Sequence, residues 1–218
     1  MVKSAYISWG YLVRKSIANY LDIDSSELSI GFYISPTTQN AEIFFVEKLE
    51  NGAGYCNFLS GRKYHEIPQK AIIDPLNEGG VIYEQLISGE HSLECSTSCY
   101  DCIRDYSNQF IHGQLDWRLG LDIARLSMNK DACVDFTVEY WRSYITSTII
   151  PFLTNKGYIV RFEGNVLEAT NDNCAIMVTH PLWSEIFIRK IKKGVTDNVK
   201  VINIIDLTKN MPIGNTIA

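Results

Sequence analysis

Glu94-Cys95-Ser96-Thr97-Ser98-Cys99-Tyr100-Asp101-Cys102 is the stretch on which the reading of this chain turns. Three and two residues separate its cysteines. That spacing lets consecutive thiolates turn inward on one tight knuckle and meet a single tetrahedral ion. A disulfide joins at most two of the three, and neighbours this close fit its geometry badly. Met1 to Gly10 has no basic stretch followed by an apolar core, so no secretory signal is expected. Clustered thiols outside an oxidising compartment read as metal ligands, with zinc as the expected ion.

A structural tetrahedral site needs a fourth donor, and the candidates are Cys56, His91 and His112. Cys56 follows the glycine turn Gly52-Ala53-Gly54-Tyr55, where a backbone can fold close to another segment. Thiolate is also the softer match to three thiolates. His91 lies four residues before Cys95, and His112 ten beyond Cys102. Ligand type favours Cys56, so the expected set is Cys56, Cys95, Cys99 and Cys102, while spacing leaves both histidines open. Cys133 and Cys174 are isolated and read as packing residues. Arg104-Asp-Tyr-Ser-Asn-Gln109 reads as polar support for the knuckle, or else as a contact to a phosphate backbone or partner domain.

The rest of the chain supplies the frame. Trp9 to Leu21 carries Trp9, Leu12, Val13, Ile17, Tyr20 and Leu21 at helical spacing. Leu28 to Ile34 and Ile43 to Val46 read as strands, parted by the turn cluster at Pro36 to Asn40. Asn77 to Ser88 reads as a helix leading into the knuckle. Leu115, Leu119, Ile123 and Leu126 mark another, with Arg118 and Asp122 as an exposed pair. Polarity rises from Asn129 to Asp135, which suggests two domains, residues 1–130 and 131–218. Beyond that boundary Phe136 to Leu153 reads as a long helix despite Pro151. Tyr158 to Phe162, Cys174 to Thr179 and Val199 to Ile205 read as strands, with Pro181 to Lys193 as an intervening helix. The expected fold class is α/β, with α+β as the alternative: a zinc-knuckle module followed by a small α/β unit.

The chain has 218 residues and a formal net charge of −5, which argues against a strongly basic nucleic-acid binder. No apolar run approaches a membrane span, so a membrane partner is not expected and a cytoplasmic location is. Arg189, Lys190, Lys192 and Lys193 form the one dense basic run, read as the wet face of an amphipathic helix. The chain contains no phosphate-binding loop, no Gly-x-Ser-x-Gly elbow and no His-Glu-x-x-His. Glu163, Glu168 and Asp172 lack a lysine on the same strands to make a nuclease constellation, and His180 lacks a nearby nucleophile.

The chain resembles the zinc-binding C-terminal module of MrfA-type DEAD/DEAH-box DNA helicases, with related modules in anti-phage systems such as DISARM. Ser8-Trp-Gly-Tyr-Leu-Val-Arg14, Leu21-Asp-Ile-Asp-Ser-Ser-Glu-Leu28, Leu49-Glu-Asn-Gly-Ala-Gly-Tyr-Cys56 and Cys99-Tyr-Asp-Cys-Ile-Arg-Asp-Tyr-Ser-Asn-Gln109 carry the resemblance. Leu115-Asp-Trp-Arg-Leu-Gly-Leu-Asp122 and His180-Pro-Leu-Trp183 extend it. The resemblance implies a metal site of four cysteines serving a helicase in DNA repair or defence. The expected function is therefore a non-catalytic zinc module, free-standing or part of a larger protein. It would partner a DEAD/DEAH-box helicase or another DNA-processing subunit and touch DNA indirectly or weakly. Its rivals are a nuclease or zinc hydrolase, and a pure protein-protein adaptor.

Overall fold

A computed structural model describes the chain apart from residues 1, 36, 38–40, 51, 61–65, 130, 193–198 and 210–218, and apart from the side chain of Ile34. The chain divides into two compact units, Val2–Ala132 and residues 133–218.

Helix α1 (Val2–Leu21) is the axis of the first unit, and it begins seven residues before the expected Trp9. It is buried on several faces, through Ala5, Ile7, Leu12, Val13, Ile17 and Ala18, while Tyr20 on the expected stripe is exposed. It stops in a Schellman turn. Asp22 takes a left-handed φ of 55°, Ile23 N donates to Ala18 O at 3.0 Å and Asp22 N to Asn19 O at 3.4 Å. Asp24 and Glu27 then form a capping box around a 3-10 turn.

The chain leaves that turn as β1 (Leu28–Ile34), which pairs antiparallel with β2 (Ala41–Glu47). Alternation sets one face of this hairpin against α1. Gly10 makes the approach possible: a Cβ there would stand 3.0 Å from the Phe32 ring and 3.4 Å from Ile43.

A short helix α2 (Tyr55–Ser60) follows, then α3 (Asp74–Leu76), α4 (Val81–Ile87) and α5 (Gly89–Glu94). The expected single helix from Asn77 is broken by Gly79, whose φ is +81°, so it starts at Val81. A 3-10 stretch (Tyr106–Gln114) leads into α6 (Trp117–Met128). α6 crosses α1 where Gly120 meets Ser8 and Leu12. Arg118 and Asp122, expected on the wet face, are 1% and 0% exposed. Every residue from Trp117 to Ala124 is buried, so α6 is an internal helix and the charged pair lies inside it.

In the second unit α7 (Glu139–Tyr144), a π turn (Ile145–Ile149) and α8 (Ile150–Asn155) form one continuous helical run. The widened turn explains how Pro151 is accommodated. Ile150 N donates back to Ile145 O, so the ladder is already opened where the proline ring would clash. The sheet has the order β3 (Ile159–Glu163), β4 (Val166–Thr170), β5 (Ala175–Thr179), β6 (Val199–Asn203). β3, β4 and β5 are antiparallel neighbours. Helix α9 (Glu185–Lys192) connects β5 to β6, which run parallel. β4 has no counterpart among the expected strands. The end of the expected last strand is helical: Asn203 Oδ1 accepts from Asp206 N at 2.9 Å and caps α10 (Ile204–Lys209).

Cys133 and Cys174 are both exposed, so neither packs in a core as expected. Cys174 Sγ instead lies 3.3 Å from the Tyr158 hydroxyl. His180, at the end of β5, is 1% exposed among aromatic rings, edge-on to Trp141 at 4.9 Å. Its Nδ1 accepts from Leu182 N at 3.1 Å, the contact of a histidine that shapes a turn.

Gly120→Ala tests the helix crossing. The added Cβ would stand 2.6 Å from Leu12 Cδ1 and 3.1 Å from the Ser8 carbonyl carbon. Overpacking of this kind costs about 1–3 kcal/mol, more than the roughly 1 kcal/mol that alanine gains over glycine in a helix. Chemical denaturation should show Gly120→Ala less stable than wild type. Gly113→Ala, where a Cβ meets nothing within 4 Å, should be unchanged.

Candidate metal centre

The knuckle is built by two short turns. In the first, Ser88 caps α5 by accepting from His91 N at 3.3 Å, and Cys95 N donates to His91 O at 2.8 Å. One helical turn therefore places His91 and Cys95 on the same side. In the second, Arg104 N donates to Cys99 O at 2.9 Å, and Cys99 N donates to Cys102 Sγ at 3.0 Å. The chain between Cys99 and Cys102 is thus folded back with a main-chain N–H aimed at a sulfur.

These turns bring His91, Cys95, Cys99 and Cys102 together, with one donor atom of each within 4.8 Å of the others. Cys95 Sγ lies 3.8 Å from Cys102 Sγ, and Cys99 Sγ 3.5 Å from it. Those separations are far beyond a disulfide's length of about 2.05 Å. They fit a tetrahedral ion instead: zinc–sulfur bonds of about 2.3 Å set sulfurs about 3.8 Å apart. The histidine is oriented for the same purpose. Its Nδ1 lies 2.9 Å from Leu86 O, a carbonyl that can only accept, so Nδ1 carries the proton. Its Nε2 lone pair is left facing Cys99 Sγ at 3.5 Å.

Cys56 does not join this cluster, and the expectation that it supplies the fourth donor is corrected by the fold. Gly52 and Gly54, with φ of +59° and +84°, wrap the loop around the Glu47 carboxylate. That carboxylate accepts from Gly54 N at 2.9 Å and Cys56 N at 2.7 Å. The Cys56 thiol is directed at Phe45 O, 3.5 Å away, and burial followed by the charge of Glu47 pushes its pKa up. The glycine turn therefore fastens Cys56 to β2. His112 is occupied too: its Nε2 lies 2.7 Å from Asn108 Oδ1 and 3.1 Å from Asp105 O. Among the described residues no other group of three metal-ligating side chains converges, and Glu163, Glu168 and Asp172 form none.

Without a metal, the cluster's negative charge settles on one sulfur. Hydrogen bonding from Cys95 lowers Cys102 to about 4 even though burial opposes it. Cys95 is pushed up by the same bond and by burial, and Cys99 by burial and the Cys102 charge. A divalent cation changes that balance by taking all three as thiolates.

The surroundings are polar side chains spent on the knuckle backbone. Trp117 Nε1 donates to Cys95 O at 3.4 Å, and its ring meets His91 edge-on at 5.4 Å. Arg118 lies over the Trp117 ring and donates to Ser96 O at 2.7 Å and Cys95 O at 3.5 Å. Arg104 Nε donates to Ser98 Oγ at 2.8 Å. Asp105 and Asn108 form a capping box, and Asn108 Nδ2 donates to Ile103 O at 2.9 Å. Arg14 of α1 pairs with Asp105, and Lys15 donates to Asp101 O. Arg104-Asp-Tyr-Ser-Asn-Gln109 thus supports the knuckle, and α1 and α6 brace it from outside.

Replacing His91 with alanine should strip bound zinc from the purified protein, while Cys56→Ala should leave the zinc content unchanged. Elemental analysis of both variants checks this. Second, chelator treatment of the wild-type protein should deprotect amides from His91 to Trp117 in hydrogen exchange, because the ion ties those turns together.

Residues 9–103 match the MrfA Zn-binding domain family, a span that ends just past Cys102. The chain is also similar to Druantia protein DruE of Escherichia coli (strain UMEA 4076-1), at 32% identity over 112 residues. That alignment covers 50% of this chain and 5% of the Druantia protein. No solved structure is a significant match. Among the described residues no helix is long and apolar enough to cross a membrane. The His91, Cys95, Cys99 and Cys102 donor set is consistent with zinc, and it lies inside the part of the chain that is similar to the MrfA Zn-binding domain.

Proposed function

We propose that this chain is a non-catalytic module whose zinc ion is structural, and that it works with a DEAD/DEAH-box helicase or another DNA-processing subunit in anti-phage defence or DNA repair. The observation that carries the reading is the closure of the donor set. His91, Cys95, Cys99 and Cys102 supply four protein donors around one point, and a tetrahedral ion so held keeps no position for water or substrate. The bound ion would supply cross-linking of the α5 turn to the Cys99–Cys102 turn. The similarity to a zinc-binding domain named for MrfA and to a Druantia protein supports the helicase and defence setting. Free thiols throughout the chain suit a reducing cytoplasm.

The net charge of −5 and the short basic face of α9 support only an indirect or weak role for DNA. On α9, Arg189 is already paired with Glu185 at 3.1 Å, and Lys193 lies outside the described residues.

The zinc-loaded chain should hydrolyse no ATP and cut no DNA with magnesium added. It should bind DNA weakly and lose that binding steeply as salt rises. Adding it to its helicase partner should change the partner's DNA binding or unwinding. Metal-dependent cleavage that disappears in Glu168→Gln would overturn the non-catalytic reading, and tight salt-resistant binding by the lone chain would make it a direct DNA reader.

A further inference from the structure

We propose that Lys15 is the counter-charge of the metal cluster: α1 holds its ammonium against the Cys99–Cys102 turn, so that the thiolates retain a metal ion against protons and electrophiles. The proposal rests on the reading of His91, Cys95, Cys99 and Cys102 as a zinc site. Three thiolates and a neutral imidazole around a divalent cation leave one net negative charge. In a partly buried setting that charge needs a compensating partner.

Four cations stand around the knuckle, and three are held by fixed partners. Arg14 is paired with Asp105. Arg104 is bound to the Ser98 hydroxyl. Arg118 holds two main-chain carbonyls and lies 3.8 Å from the Asp116 carboxylate. Lys15 donates to the carbonyl of Asp101, the residue immediately before Cys102, and so brings an ammonium to the turn that carries two of the sulfurs.

Its position on α1 is an expensive one for a charge. Residues Tyr11 to Arg14 and Ser16 to Ala18 are buried on either side of it, and Lys15 itself is half-buried. Burial lowers its pKa, while the Cys102 and Cys99 sulfurs, with Asp101, act in the opposite sense. Consecutive cations on one helix divide the work: Arg14 positions the knuckle through Asp105, and Lys15 balances its charge.

The test compares Lys15→Gln, which keeps a donor for Asp101 O without the charge, with Lys15→Arg, which keeps the charge. Zinc alone is the probe, and its transfer to a chromophoric chelator is timed for each zinc-loaded protein. Lys15→Gln should release zinc about 10-fold faster or more, the scale on which groups surrounding a metal's ligands act. Lys15→Arg should retain it nearly as wild type does, as should the control Lys48→Gln on the exposed surface. Alkylation mapped by mass spectrometry should be faster at Cys99 and Cys102 in Lys15→Gln, with helical circular dichroism unchanged. Equal retention by Lys15→Gln and wild type, or equal loss by the Gln and Arg variants, overturns the counter-charge role while leaving the zinc site intact. Wild-type protein that takes up no zinc overturns the site itself.

Discussion

Gathering three sulfurs within 4.8 Å of one another is the constraint around which the first unit is arranged. Three thiolates repel at that range, and three thiols fill the space without neutralising anything. The fold answers with cations and donors placed on all sides. One N–H is aimed at Cys102 Sγ, one imidazole is held by Leu86 O, and basic side chains arrive from α1 and α6. Each of these groups is fixed by something else. The knuckle is therefore a rigid object only as part of the unit, and the unit's two long helices are defined partly by what they hold there.

That mutual dependence explains the unusual burial of α6. An amphipathic helix hides one stripe and wets the other. α6 is closed on all sides over its first eight residues because one side faces α1 at Gly120 and another presents Trp117 and Arg118 to the cysteine turns. Arg118 tolerates burial since its guanidinium donates to two carbonyls, lies over an aromatic face and stands 3.8 Å from the Asp116 carboxylate. A pair of charges four residues apart reads as a surface feature whenever the helix is assumed to have one neighbour. Here it has two, and nothing in the local pattern announces the second.

Local chemistry was legible where it decides structure by itself. The hydrophobic run from Leu28 to Ile34 and the three-cysteine spacing both act within a few residues of where they stand. β4 escaped because its buried face offers only Leu167 and the small Ala169, and its partner strands lie on both sides. The fourth donor escaped for a related reason. Preference for sulfur over nitrogen ranks ligands as free species, whereas the choice here is made by backbone: one helical turn delivers His91 to Cys95, and Glu47 draws Cys56 toward β2. The signal for His91 was present in Ser88, a capping residue three positions before it, and in the four-residue step to Cys95.

A mixed donor set also changes what the site can be used for. Four thiolates around zinc leave a double negative charge; one imidazole in place of a thiolate halves it, and so halves the burden on the surrounding cations. With the charge of Arg14 answered by Asp105, the ammonium of Lys15 is left to balance what remains. That balance is struck by side chains from α1, which is far from the cysteines in sequence. A bound metal would therefore link the first and last described helices of the unit through charge as well as through packing, and its loss would loosen α1 together with the knuckle.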